Sequence, residues 1–168
     1  MKKISFILTF LLTICLNVHS QSCVYKTNST DKFTGITNMV LEPVLIQKKI
    51  KTDLMHLKNV EMILSKEGDN RYFTLSYTCV LSGPRFGGSG NKLICLLDNN
   101  TSVELPMAVL TSDVIKYVHS TKFSISEEVL QELLLHNITD IRCVSFVNPF
   151  DFSLVANVQT KPFFKCID

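Results

Sequence analysis

Residues 71–81 read Arg71-Tyr72-Phe73-Thr74-Leu75-Ser76-Tyr77-Thr78-Cys79-Val80-Leu81. Phe73, Leu75, Tyr77, Cys79 and Leu81 alternate with Tyr72, Thr74, Ser76 and Thr78. Successive side chains of a strand point to opposite faces, so this period of two predicts a strand with one buried and one wetter face. Upstream of it, Gly68-Asp69 follows the strand-like segment 54–65. A glycine-containing pair between two such runs predicts a β-hairpin. Downstream, segment 82–91 (SGPRFGGSGN) is a loop on composition. Segments 93–97 and 102–105 flank the turn Asp98-Asn99-Asn100, and 114–118 is a further short strand. Segment 138–147 predicts a strand with Ile141, Cys143 and Val147 on one face. Phe152, Leu154, Ala156 and Val158 alternate in a last strand, and the two form a second hairpin around 148–151. Pro162 opens a short aromatic tail, Phe163-Phe164, placed to close the core before Cys166.

One helix interrupts the strands. Ser124 and Ser126 both offer an N-cap, and Ser124-x-x-Glu127 fits a capping box. Glu127 and Glu128 occupy the first turn, where the helix dipole favours negative charge. Leu130, Leu133 and Leu134 make an i, i+3, i+4 stripe, with Gln131 and Glu132 turned away. His136-Asn137 ends the helix, on the expectation that Asn adopts the left-handed stop conformation. Strands dominate and no strand–helix alternation repeats. The fold class is therefore α+β: a mostly antiparallel twisted sheet with one amphipathic helix packed on it. A β-sandwich or barrel with an appended helix is the alternative.

The N-terminus sets the address. Lys2 and Lys3 precede an apolar run from Ile4 to Leu16, and Val18-His19-Ser20 ends on a small residue before Gln21. These are the three parts of a secretory signal peptide, and the run falls short of the ~20 residues of a membrane-spanning helix. Residues 1–20 are read as the signal and 21–168 as a single domain. Cys15 offers a lipoprotein signal instead, but Ile14 stands where a small residue belongs. The chain has 17 Lys plus Arg and 15 Asp plus Glu, and losing Lys2 and Lys3 brings the mature protein to zero net charge. A neutral chain with scattered charges makes no electrostatic case for nucleic acid or an anionic membrane.

Five cysteines survive cleavage, so at least one cannot pair within the chain. Cys23 and Cys166 lie near the two ends of the mature domain, and domain termini are often close together. Cys79 and Cys95 are symmetric about Gly87 and would face each other across a hairpin. Cys143 is the leftover. All five could equally be small buried hydrophobes.

Motifs for chemistry are lacking in the sequence. His56, His119 and His136 stand in no metal-ligand spacing. No cysteine starts the predicted helix, where a thiolate would be favoured, and no G-x-S-x-G is present. Gly83 and Gly88 have phosphate-loop spacing, but Ser89 and Gly90 follow where Lys and Ser or Thr belong. That leaves Arg85 and Phe86 among flexible residues, either in a plain turn or as a partner-binding finger. Asn28, Asn99, Asn100 and Asn137 match the N-glycosylation pattern, which matters only in a eukaryotic source.

Asp31-Lys32-Phe33-Thr34-Gly35, the glycine-containing hairpin, Ile125-Ser126-Glu127-Glu128-Val129-Leu130 and Ile138-Thr139-Asp140-Ile141-Arg142 together resemble a group of small exported proteins of Gram-negative, gut-type bacteria. The resemblance implies the same architecture and an envelope location, and it assigns no catalytic residue. The expectation is an exported or periplasmic domain without a cofactor. It acts as a binding module for an envelope protein, a surface glycan or a small ligand. A thiol-dependent enzyme built on Cys143 or Cys95, and a lipid-anchored envelope component using Cys15, are the alternatives. Mass spectrometry of the exported protein should find Gln21 as its first residue. An acylated Cys15 at that position would overturn the assignment.

Overall fold

The computed structural model describes residues 23–51, 56–79, 91–113, 118–144, 150–156 and 158–168. The loop carrying Arg85 and Phe86, the expected strand 114–118 up to Val118, and Asn148-Pro149 lie outside the described residues. So do residues 1–22.

Ten strands and two helices are described. In chain order they are β1 (Tyr25–Thr30), β2 (Thr37–Leu41), β3 (Val44–Lys51), β4 (His56–Glu67), β5 (Asn70–Cys79), β6 (Lys92–Leu97), β7 (Ser102–Asp113) and β8 (Val118–Ile125). Helix α1 (Glu127–Leu135), β9 (Ile138–Val144), β10 (Phe150–Ser153) and the short helix α2 (Lys161–Phe164) complete the set. The molecule is mostly antiparallel sheet. Its strands run in the order β1-β2-β4-β5-β8-β7-β6-β9-β10, with β3 also on β4. Every pairing is antiparallel.

The central hairpin β4–β5 turns at Gly68, whose φ of +59° is a conformation that glycine reaches without strain. Phe73, Leu75 and Tyr77 of β5 are buried, as the alternation requires. The opposite edge of β4 is divided between two neighbours. β3 takes residues 56–62 and β2 takes Ser65 to Glu67. Between β2 and β3 stands Pro43, which has no N–H to offer a ladder.

β7 is shared in a similar way. Ser102 to Leu105 face β6, and Met107 to Asp113 face β8, with an irregularity between Met107 and Val109. Pro106 lies at the changeover. This strand joins the two halves of the sheet, and buried side chains from both halves form one core. Beyond β10, the Val155 N–H donates to the Ile46 carbonyl of β3 at 2.9 Å, drawing the far end of the sheet toward β3.

Helix α1 is capped by Ser126, whose hydroxyl accepts from the Val129 N–H at 3.3 Å. The expected box on Ser124 does not form, because Ser124 belongs to β8 and pairs with Tyr72. Glu127 meets Arg71 at 3.1 Å as well as the helix dipole. Leu130 and Leu133 are fully buried, Leu134 is half-buried and Leu135 is exposed. The helix closes on His136 in extended backbone (φ −127°, ψ 146°). Asn137 does not supply the left-handed stop. It is tied down by its side chain instead, as described below.

Two further expectations are corrected. The last strand is Phe150–Ser153, and Leu154, Ala156 and Val158 lie outside the ladder. β5 and β6 do not form a hairpin, because β8 and β7 lie between them. Cys79 and Cys95 are therefore two strands apart, and Cys95 is a free, buried thiol. Their pairing needed adjacent arms, which the strand order does not supply. Cys23 and Cys166 are joined, with an S–S distance of 2.03 Å and Cα atoms 5.7 Å apart.

Leu133→Ala should destabilise the fold by about 2–5 kcal/mol, since it removes a fully buried side chain from a close-packed site. Urea unfolding measures this. A loss below about 0.5 kcal/mol, the scale of a neutral surface change, would mean that α1 is not seated in the core.

Candidate binding surface

Among the described residues, the outward face of β6, β7, β9 and β10 carries a concavity. Segment 93–97 is apolar at every position. Leu93, Cys95 and Leu97 point into the core, which leaves Ile94 and Leu96 on the outside. Leu96 is 38% exposed, an unusual position for leucine in the middle of a sheet. Neighbouring strands bring polar groups around this floor. Leu96 faces Ser102 of β7 and Asp140 of β9, and Ile94 faces Glu104 and Arg142. Across β9, Asp151 of β10 faces Arg142.

The polar rim is ordered by its own bonds. Arg142 donates from Nε to Asp151 Oδ1 at 2.8 Å and from Nη2 to Oδ2 at 2.6 Å, a two-pronged pair. This pair holds the Asp151 carboxyl below its usual range and raises the guanidinium. The Ser153 hydroxyl donates to Asp140. Lys92 reaches both carboxylate oxygens of Glu104 at 2.7 and 2.8 Å. Ile94, Leu96, Ser102, Asp140, Ile141, Arg142 and Asp151 line a cavity of about 380 Å³. That volume falls within the range of small-ligand sites, which combine an apolar floor with a few placed polar groups.

Beneath this surface, Cys95 and Cys143 lie on the inner face of the same two strands, one step apart across the β6–β9 pair. Both are fully buried, and burial raises both thiols well above their ordinary value. Burial favours the neutral thiol, and the thiolate is the nucleophile, so this environment works against covalent chemistry at either cysteine. Of the three histidines, His119 stacks on Tyr77 with centroids 5.7 Å apart. His136 Nδ1 lies 3.1 Å from Asp98 Oδ1. The side chain of His56 lies outside the described residues, as do those of Cys79, Arg85 and Phe86. Among the described residues no three His, Cys, Asp or Glu side chains gather as a metal site.

The sequence reading singled out none of Ile94, Leu96, Ser102, Asp140, Arg142 or Asp151 as a site. The available signal was the unbroken apolar run 93–97. A strand at the wetter surface alternates, so an apolar residue in the outward phase marks either a covered face or a binding floor.

A second polar cluster closes the end of α1. Asp98 Oδ2 accepts from the Asn137 N–H at 3.1 Å and from Asn137 Nδ2 at 3.2 Å. Asn137 Oδ1 in turn accepts from the N–H groups of Thr160 and Lys161 at 3.0 and 3.2 Å, and the Thr160 hydroxyl accepts from the Ile138 N–H at 2.8 Å. Both ends of the Asn137 amide are thus engaged. No family model, curated protein or solved structure matches this chain.

The Asn137 N–H bond, opposed by some burial, lowers the Asp98 carboxyl from its ordinary 3.8. The folded state therefore binds this proton less readily than the unfolded chain. The stabilisation is complete above pH 3.8 and is lost as pH falls through the lower folded value. Asp98→Ala should lower stability at neutral pH and flatten the acid limb of the stability profile in that window. Identical acid limbs for the two proteins would count against this role.

Proposed function

We propose that the protein is an exported binding module. Its ligand presents one apolar face and several hydrogen-bonding groups to the groove over Ile94 and Leu96. The observation that carries this reading is the exposed apolar floor at Leu96, bordered by an Arg142–Asp151 pair already locked in place. A rim ordered before the ligand arrives loses less freedom on binding. Export is supported by the Lys2-Lys3 start with its apolar run and by the Cys23–Cys166 disulfide, a bond that persists in oxidising compartments. No helix among the described residues is long and apolar enough to cross a membrane. The resemblance of Asp31–Gly35 and Ile138–Arg142 to small exported bacterial proteins points the same way. Binding is favoured over thiol chemistry because Cys95 and Cys143 are sealed and neutral.

Titration of isotope-labelled protein with a panel of oligosaccharides and short peptides should locate a ligand by NMR. Shifts should concentrate on Ile94, Leu96, Ser102, Asp140, Arg142 and Asp151. Leu96→Asp should abolish them, and Arg142→Ala should weaken binding by roughly tenfold or more, since charge-assisted bonds contribute about 1.5–3 kcal/mol. Stability should barely change in Arg142→Ala, because an exposed ion pair is worth at most about 1 kcal/mol. Shifts confined to another face, or equal affinity in Leu96→Asp, would refute the assignment.

A further inference from the structure

The groove over Ile94 and Leu96 is made of two rungs that cross four strands. Register places Ser102, Leu96, Asp140 and Ser153 in one rung, and Glu104, Ile94, Arg142 and Asp151 in the next. Directly opposed side chains have Cβ atoms ~5 Å apart, and successive rungs on one face lie ~7 Å apart. Each rung therefore sets one aliphatic side chain between polar ones, and the two aliphatic side chains are neighbours along β6.

The rungs differ in charge. In the second, Arg142 donates to both oxygens of Asp151. Glu104 accepts from Lys92 on both of its oxygens. In the first rung the one ionisable group is Asp140. Its Oδ1 accepts from the Ser153 hydroxyl. No cationic side chain among the described residues pairs with it, and its Oδ2 has no partner among them. Arg142 lies two residues along β9 on the same face, but its bonds are committed to Asp151. Around the floor three carboxylates thus meet two cations, and the unmatched charge belongs to Asp140.

The lining narrows the chemistry of a ligand. Asp140 borders the cavity beside the exposed Leu96. An unmatched carboxylate next to an apolar surface is complementary to positive charge and apolar surface in one molecule. The free group is a hydrogen-bond acceptor, so the cation it suits best carries N–H donors. No aromatic side chain lines the cavity among the described residues, so it lacks the cage that holds a quaternary ammonium.

We propose that the groove binds a primary ammonium carried on an aliphatic stem, with the ammonium on Asp140 and the stem over Leu96 and Ile94. This rests on the reading of the groove as the binding site and adds the class of its ligand. A free alkylamine and a lysine side chain share this chemistry.

The test titrates isotope-labelled, disulfide-intact protein with hexylamine, hexanol and hexanoate at neutral pH. Hexylamine should shift the amides of Ile94, Leu96 and Asp140. Hexanol should bind about three- to fivefold more weakly, the scale of one partly exposed charge pair, and hexanoate should leave these amides unmoved. Methylamine, which has no stem, should leave them unmoved as well. Raising the salt should weaken hexylamine without weakening hexanol, because it screens the exposed charge. Asp140→Asn should bring hexylamine down to the affinity of hexanol. Should that variant fold poorly, the salt series and the three matched probes carry the test on the unaltered protein. An Nα-acetyl-lysine methylamide titration separates the sources. Shifts like those of hexylamine assign the stem to a peptide, and their absence while hexylamine binds assigns it to a free amine. Hexanol or hexanoate binding as tightly as hexylamine overturns the proposal and leaves the groove standing as a binding site. Hexylamine binding that is indifferent to Asp140→Asn does the same. No shift in the groove with hexylamine also overturns it, and the oligosaccharide and peptide panel then decides separately whether the groove binds anything.

Discussion

One strand has to serve two ladders, and the rest of the molecule depends on how it does so. β7 is paired to β6 along its first half and to β8 along its second. Among the described strands it is the ladder that links the group β1 to β5 with β8 to the group β6, β9 and β10. Pro106 is the last β7 residue in register with β6 and has no N–H to satisfy, and the irregularity between Met107 and Val109 adjusts the register with β8. The gain is a single core. Phe73, Leu75 and Tyr77 from one group and Leu93, Cys95 and Ile141 from the other are buried together, which a chain of this size needs in order to offset its loss of conformational entropy.

That shared core decides what the outer face can do. β6 is apolar on both sides because it has two tasks. Its inner side chains complete the core, where dryness is stabilising and where the thiols of Cys95 and Cys143 are correspondingly inert. Its outer side chains, Ile94 and Leu96, form the floor of the groove. Regular antiparallel pairing then lines up polar partners from β7, β9 and β10 at fixed spacing around that floor. The groove is built on strands rather than on a loop, so its geometry is as rigid as the sheet itself.

Much of the local structure is legible in the sequence, and the reasons are local. The alternation 71–81 marks β5, Gly68 marks its turn, and the leucine spacing marks α1. What sequence periodicity does not carry is the choice of neighbours. Cys79 and Cys95 look like facing positions because 16 residues and a glycine-rich loop suggest a hairpin, yet each arm pairs with strands from elsewhere. Ladder partners are selected by the packing of the whole core, and a symmetric spacing says nothing about that competition. β1, β2 and β3 are hard to read for a different reason. β1 is polar and exposed along nearly its whole length and has no buried face to impose alternation. The capping of α1 misleads by two residues, since Ser124 and Ser126 are chemically alike and only the end of β8 distinguishes them. The groove residues are individually ordinary, and their meaning comes from a pairing register that joins four strands.

The hairpin β1–β2 completes the logic of the sheet. β4 gives most of its outer edge to β3, so β2 is anchored through only three residues, Ser65 to Glu67. A hairpin held by so short a ladder would ordinarily fray, because two strands alone are marginal in water. It is held at its base by other means. Cys23 is bonded to Cys166, and the Tyr25 hydroxyl donates to the Cys166 carbonyl at 3.1 Å. The tail around Cys166 is itself fixed to the central strands: Arg71 Nε donates to the Ile167 carbonyl at 2.9 Å, and Lys66 Nζ donates to the Asp168 carbonyl at 2.8 Å. Bridging residues 143 apart in sequence also restricts the unfolded chain, an effect worth roughly 4–5 kcal/mol for loops of this order in the chain-entropy model. The bridge therefore has two consequences. It stabilises the domain as a whole, and it holds the base of a hairpin that has no core of its own, while at the tip Asp31 Oδ1 accepts from the Phe33 and Thr34 N–H groups.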